Sequence, residues 1–372
     1  MKLEGIRVLD LSNFLPGPLL SLTMADHGAE VIKIEQPGEG DPGRHIGLSD
    51  GPHTVFFRNH NRGKKSLVLD LKKDADRAAL LELAATADVF VESFRPGVAK
   101  RLGVDYAALR ARNPRIVYCS ISAFGQDGPY RDRPAHDLAL EALTGALSLN
   151  VGTDDGKPAI PGLPLADLLS GMNGLAAVLM ALLRRQATGE GDCIDISMMD
   201  SMVAALRNVV GPTFAEGRQP DPKQERTTGG GAFYRIYETR DGGRIALAGQ
   251  EPKFVHALLR ELGRPDFAPL CLQGPGAHQK PVMDFLAQAF REHTRGEWEE
   301  RLAKLDVCFG GVNTLPEAFR DPQVLARGMV LRDEAGLPHI ASPIRFLNEP
   351  GTPSLRSPGL DEHRDLVRGS RP

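Results

Sequence analysis

Cysteine is scarce in this chain. Four in 372 residues, Cys119, Cys193, Cys271 and Cys308, stand far apart with no CxxC pair and no histidine at ligand spacing. That excludes a structural zinc site and a disulfide framework. Cys119 and Cys193 fall in apolar, strand-like runs, where buried, reduced thiols are expected. An excess of either charge is also missing: 45 Lys and Arg against 48 Asp and Glu leave a formal net charge of −3. No general nucleic-acid surface follows from that balance, so basic residues matter locally rather than as a field. The first residues, MKLEGIRVLDLSNF, hold no secretory core and no apolar run long enough to span a bilayer, so a cytoplasmic protein without a membrane partner is expected. A dinucleotide fingerprint is absent as well. Where GxGxxG would follow the first strand, the chain reads SNFLPGPLL, whose prolines and bulky Phe14 and Leu15 prevent the close backbone approach of a pyrophosphate. An NAD or FAD enzyme is thereby disfavoured, despite Glu35 at the end of the second strand.

What is present describes a soluble globular protein with ample core, 41% hydrophobic and 25% charged, and long enough for two domains. Strand-like runs at 6–11, 30–35, 66–70, 87–93 and 115–122 alternate with helical patterns at 16–27, 74–85 and 106–112. That alternation predicts an α/β fold with a doubly wound parallel sheet, which binds ligands at the carboxyl ends of its strands. Three loops beside those strands carry cations: 38–44 with Arg44, 59–65 with Arg62, Lys64 and Lys65, and 94–101 with Phe94, Arg95 and Arg101. Any one of these charges alone reads as a solvated loop residue. Grouped on one sheet edge, they would suit a multiply phosphorylated ligand.

The stretch from Arg133 to Asp200 holds two acid–base candidates, His136 and Asp167, each where a loop runs into a helix. Residues 137–147 place apolar side chains at helical spacing, and 168–185 are almost wholly apolar, closed by Arg184, Arg185 and Gly189. A helix N-terminus keeps a carboxylate ionised and an imidazole neutral, so both could accept protons near neutral pH. Its free N–H groups could also stabilise charge on a bound carbonyl. Polar capping is the default role for such residues and explains them without chemistry.

Residues 211–232, rich in Gly, Pro and charge, read as a linker, in which Thr227–Gly231 could be a mobile glycine loop. Beyond it, 233–247 alternates about Asp241–Gly242–Gly243 as a β-hairpin. Helical patterns follow within 248–263 and at 280–292, 295–305 and 314–327. Trp298 reads as a core anchor, and two short strands lie within 329–346. The layout is a large domain over 1–210, the linker 211–232, a smaller α+β domain over 233–328, and a C-terminal segment, 329–372.

The ordered blocks FLPGPLLS, ADHGAEVIKIEQPGEGD, NRGKKSLVLDLK, ESFRPGVAKRLGVDY, NPRIVYCSISAFGQDGP, HDLALEALTG, PLADLLSGMNG, GDCIDISMMD and DPQVLARGM resemble the family III CoA-transferases, of CaiB/BaiF type, over about residues 3 to 350. That superfamily includes the α-methylacyl-CoA racemases. The resemblance implies a CoA thioester substrate, no tightly bound cofactor or metal, and a Rossmann-like large domain completed by the C-terminal segment. It also implies a homodimer whose chains interlock like rings. Asp167 in PLADLLSG matches the superfamily's central aspartate, a nucleophile in the transferases and an acid or base in the racemases. His136–Asp137 and the block Glu251–Pro252–Lys253–Phe254 match the racemase pattern, with Glu251 supporting the site. Gln36 stands where relatives often carry Arg or another residue stacking on adenine. Leu168–Leu169–Ser170–Gly171 replaces the racemases' glycine run, while Asn13–Pro18 and Gly229–Gly231 look equally transferase-like. The resemblance therefore implies epimerisation of 2-methylacyl-CoA thioesters by His136 and Asp167, with Glu251 tuning His136. The alternative is CoA transfer between carboxylic acids through an aspartyl thioester on Asp167.

Overall fold

The computed structural model describes residues 1–152 and 156–367, divided into two compact units. The first comprises Met1–Thr144, Gly162–Ala204 and the chain from Pro322 onward; the second comprises Gly145–Pro161 and Ala205–Asp321. Residues 368–372 of the expected C-terminal segment lie outside the described residues.

The first unit runs β1 (Arg7–Asp10), α1 (Pro16–Asp26), β2 (Glu30–Glu35), α2 (Val55–Asn61), β3 (Lys65–Val68), α3 (Asp74–Ala85), β4 (Val89–Glu92), α4 (Val98–Leu102), α5 (Tyr106–Arg112), β5 (Val117–Ser122) and α6 (Asp137–Leu143). After α7 (Ala146–Leu149), which belongs to the second unit, come α8 (Leu165–Thr188), β6 (Asp192–Ser197) and α9 (Met198–Ala205). The six strands form one parallel sheet in the order β3-β2-β1-β4-β5-β6. The order reverses between β1 and β4, and ligands of open α/β sheets gather outside the carboxyl ends at such a switch point. β1 and β4 sit at the centre, and Val8, Leu9, Val89, Phe90 and Val91 have no exposed surface. Buried strands of this kind read as continuous apolar runs, which is why they were legible.

α8 is the long helix of this unit, 24 residues, apolar and long enough by composition to cross a bilayer. One face of it is buried against α1, β5 and β6 instead. Small residues make the close approach to α1: a Cβ on Gly171 would lie 2.7 Å from the Pro16 carbonyl oxygen, and one on Gly174 2.9 Å from Leu20. The helix begins at Leu165, ahead of the expected start, which brings Asp167 into its first turn. α6 stops at Leu143, because Gly145 turns left-handed (φ 83°) and breaks the run expected to continue to 147. Cys119 is buried on β5 as expected, whereas Cys193 is exposed on the edge strand β6, contrary to the expectation for it.

The second unit carries an antiparallel sheet of β7 (Tyr234–Glu238), β8 (Arg244–Ala248) and β9 (Phe309–Gly311), with helices at Pro252–Glu261, Lys280–Phe290 and Arg295–Leu302. Trp298 is 1% exposed and donates its indole N–H to the Phe290 carbonyl at 2.9 Å, as a core anchor should. The stretch 211–232 differs from the expected linker. It contains the helix Gly211–Glu216, and its end is locked into the unit by the fully buried Ala232, whose N–H donates to Gln279 Oε1 at 2.8 Å. The single helix expected over 314–327 divides into Leu315–Ala318 and Pro322–Ala326, with Pro322 lacking the N–H that would continue it. The first unit resumes at that proline.

Candidate active site

The loops leaving β1, β4 and β5, the head of α9 and the heads of α6 and α8 line one cavity of about 270 Å³ at the carboxyl edge of the sheet. Its walls include Asn13, Phe14, Ser93, Phe94, Arg95, Ser122, Arg131, Arg133, His136, Asp167 and Met198. His136 and Asp167, read as a pair from the sequence, thus border the same space.

His136 is the N-cap residue of α6, with extended backbone and no side-chain capping bond. Its exposed imidazole has no hydrogen-bond partner among the described residues and meets the Phe14 ring edge-to-face, centroids 6.1 Å apart and planes at 85°. The cap of α8 comes from α6. Asp137 Oδ1 accepts the N–H groups of Ala166 (2.7 Å) and Asp167 (3.3 Å), while Glu141 Oε1 accepts that of Leu165 (3.3 Å). Two corrections follow. The capping role falls to Asp137 and Glu141 rather than to Asp167, and the first N–H groups of α8 are already occupied, so they offer no ready cradle for a thioester oxygen.

The Asp167 carboxylate itself has no hydrogen-bond or ion-pair partner among the described residues. Burial pushes its carboxyl up to about 6, and the Asp137 charge at the same helix end adds to the effect. A half-buried carboxylate that neither caps nor pairs is poorly explained by structure alone. Ser122, at the end of β5, adds to the cavity wall a buried hydroxyl with no partner among the described residues. Nothing in its sequence context marked it.

The β1–α1 turn is held by a buried charge network. Asp10 accepts from the N–H of Ser12 (2.9 Å) and from Ser21 Oγ (2.6 Å), and pairs with Lys64 at 3.1 Å. Burial alone would raise the Asp10 carboxyl, but Lys64 and Lys33 hold it well below the usual carboxylate range. Lys33 in turn donates to the Ser12 carbonyl at 2.9 Å and pairs with Asp41 at 2.5 Å.

The expected phosphate ligands divide sharply. Arg62 is 1% exposed and ion-paired to Asp26 at 2.6 Å, and Lys64 is spent on Asp10, Asn61 and Pro18. Arg44 grips Glu35 through two nitrogens, 2.7 and 2.8 Å, and lies over the Phe57 ring. Lys65 pairs with Glu30 where β2 and β3 begin, the opposite edge from the cavity. These four cations hold the fold, and their assignment to the ligand is corrected accordingly. Phe94 and Arg95 do line the cavity. Arg101 and Arg131 flank Gly97 (φ 81°), where a Cβ would lie 3.5 and 3.8 Å from their guanidinium nitrogens. Arg95, Arg101, Arg131 and Arg133 are all exposed and have no ion-pair partner among the described residues. Sequence reasoning missed Arg131 and Arg133, although the pattern GPYRDRP just before His136 was available as the signal.

A neighbouring cavity of about 370 Å³ shares Asn13 and Phe94 with the first, and is also lined by Gln36, Pro37, Leu71, Lys72 and Leu102. It lies across the ends of β1, β2 and β3, and places Gln36 and Lys72 in its wall. Glu251 belongs to the second unit, exposed at the N-cap of the helix Pro252–Glu261 with no side-chain capping bond.

An open parallel sheet whose switch-point cavity holds a carboxylate, an imidazole and arginines that are unpartnered among the described residues is the arrangement of an α/β enzyme that takes its ligand at the strand ends. More particularly, the chain belongs to CoA-transferase family III, whose model matches residues 3–364. It is 34% identical over 375 residues to the acetyl-CoA:oxalate CoA-transferase of Acetobacter aceti, covering 98% of this chain and 95% of that protein. It is likewise 32% identical over 378 residues to the human alpha-methylacyl-CoA racemase, covering 99% and 92%. Among solved structures, a CAIB/BAIF family protein from Brucella suis superposes with a TM-score of 0.83 at 32% identity, over 99% of this chain and 98% of that one. The family handles CoA thioesters, and its named members include both transferases and a racemase.

Proposed function

We propose that this enzyme epimerises the α-carbon of 2-methylacyl-CoA thioesters by two-base proton transfer. The observation that carries the reading is the pair of unpartnered proton carriers, His136 and Asp167, bordering one cavity. A carboxyl poised at about 6 is close to the match with operating pH that proton transfer rewards. One group removes the α-proton, whose bonding pair delocalises into the thioester as an enolate. The conjugate acid of the other returns a proton to the same carbon from the opposite face. No electron is gained or lost. The phosphorylated arm of CoA falls to Arg95, Arg101 and Arg131, with Phe94 and the Gln36 cavity beside them. Glu251 keeps the supporting role implied by its block, and Glu251→Gln tests it.

A second reading is supported by the same free carboxylate and by the transferase names among relatives. There the Asp167 carboxylate attacks the thioester carbonyl and expels CoA thiolate, giving a mixed anhydride. The thiolate then attacks the Asp167 carbonyl, releasing the free carboxylate and leaving CoA as an aspartyl thioester, with His136 as a polar neighbour. Chiral analysis separates the two. Starting from either single epimer, two-base chemistry converges on one common mixture. Retained configuration, with CoA released and Asp167 converted to its hydroxamate by hydroxylamine or to the alcohol by borohydride, establishes the transferase instead.

The proposal includes a homodimer, interlocked as the family resemblance implies. In its support, α8 leaves an apolar stripe exposed, with Met172 at 41%, Leu179 at 38%, and Met180 and Leu183 each at 69%. Light scattering on the purified protein measures the mass directly; a monomer at micromolar concentration refutes this part.

A further inference from the structure

We propose that Phe14 is a positioning residue for His136: a strained turn at the carboxyl end of β1 sets its ring against the imidazole and fixes how that imidazole faces the cavity. The inference rests on the two-base reading above.

Phe14 and Asp361 are the two non-glycine residues with positive φ among those described, and Phe14 stands at 62°. Bulky side chains avoid this backbone region, and residues held there cluster at functional sites because the surroundings over-determine them. Burial does not explain the strain, since the ring is 43% exposed. Its aromatic contact is with His136, at 6.1 Å and 85°, and both rings line the cavity that holds Asp167. With no hydrogen bond on either ring nitrogen among the described residues, the imidazole depends on packing for its orientation, and Phe14 is the aromatic wall beside it.

The turn is pinned on both sides of the strained residue. Ser12 is tied by its N–H to Asp10 and by its carbonyl to Lys33, each at 2.9 Å, and the Asn13 N–H donates to Ser93 Oγ at 3.0 Å. On the far side, Gly17 admits no side chain, because a Cβ there would lie 2.1 Å from Ser12 Oγ. This rigidity gives the buried Asp10–Lys33–Lys64 network a role in the site: it holds the turn that aims Phe14.

Three variants test the assignment. Phe14→Gly relieves the backbone and removes the ring, Phe14→Leu keeps apolar bulk without a ring, and Phe14→Tyr keeps the ring. The His136 Cε1–H resonance, assigned by its loss in His136→Gln, reports the imidazole's surroundings independently of any activity. Deprotonation of each 2-methylacyl-CoA epimer is then followed separately by solvent exchange. In the Gly and Leu variants the His136 resonance should move and broaden. Exchange from the epimer served by His136 should fall about tenfold to a hundredfold in kcat, with KM little changed and the other epimer less affected. Phe14→Tyr should restore both readouts. A His136 resonance in Phe14→Gly that overlays the wild type overturns the proposal, as does equal loss for both epimers. Should the wild type exchange no α-proton, the two-base reading fails, and the resonance comparison alone still decides whether Phe14 orients His136.

Discussion

Asp167→Asn should make the protein inactive and, above pH 6, more stable. The carboxyl is raised from the ordinary 3.8 to about 6 by burial first and by Asp137 second, and no donor compensates it. Because the folded value lies above the unfolded one, its contribution favours folding fully below about pH 4 and is lost as pH rises through 6. A difference of about two pH units corresponds to about 3 kcal/mol. The side chain is partly open to water, and screening reduces this to about 1–2 kcal/mol. The amide keeps the shape and cannot ionise, so the variant should exceed the wild type by that amount at pH 8 and match it at pH 4. Urea denaturation followed by far-UV circular dichroism at pH 4, 6 and 8 measures the difference, since Trp298, the single tryptophan, reports the other unit. A variant less stable at pH 8, or a gap independent of pH, refutes the reading of Asp167 as an uncompensated charge.

Further predictions separate ligand-facing cations from structural ones. Arg95→Ala and Arg131→Ala should each raise KM for the CoA thioester about tenfold, more at low ionic strength, with unchanged urea midpoints. Arg62→Ala and Lys64→Ala should leave Asp26 and Asp10 buried without the cation each pairs with, costing about 3–5 kcal/mol in urea titrations, less at Asp10, which keeps Ser12, Ser21 and Lys33, while KM holds in whatever folds. Gly171→Ala should destabilise the α1–α8 contact by about 1–3 kcal/mol, since the added methyl meets the Pro16 carbonyl; an unchanged midpoint would show that the helices can part.

Much of the large sheet was legible because its strands are buried on both faces and read as apolar runs. β2, α3 and α5 fall where the periodicity put them. The pairing of His136 with Asp167 came from their positions at loop–helix junctions and from the family blocks. What stayed hidden was partnership at long range. Arg62 and Arg95 look alike in sequence, and only the fold shows that Asp26 claims the first and nothing claims the second. The same holds for Asp137, whose side chain closes the head of α8, a helix that begins only at Leu165. The limits of the second unit were displaced for a similar reason. Residues 211–232 are polar and glycine-rich, so composition alone assigned them to a linker, although they belong to a compact body, and Gly145–Pro161 fell inside the expected large domain although it groups with the second unit.

Deuterium wash-in is the most direct test of the two-base assignment. One epimer of a 2-methylacyl-CoA is incubated with the enzyme in deuterated water, and mass and configuration are read before equilibrium is reached. Proton transfer through His136 and Asp167 predicts a single deuterium at the α-carbon, appearing in the inverted product at least as fast as in recovered substrate, and its loss in Asp167→Asn. An α-carbon that keeps both its proton and its configuration, while CoA passes to an added carboxylic acid, would contradict it.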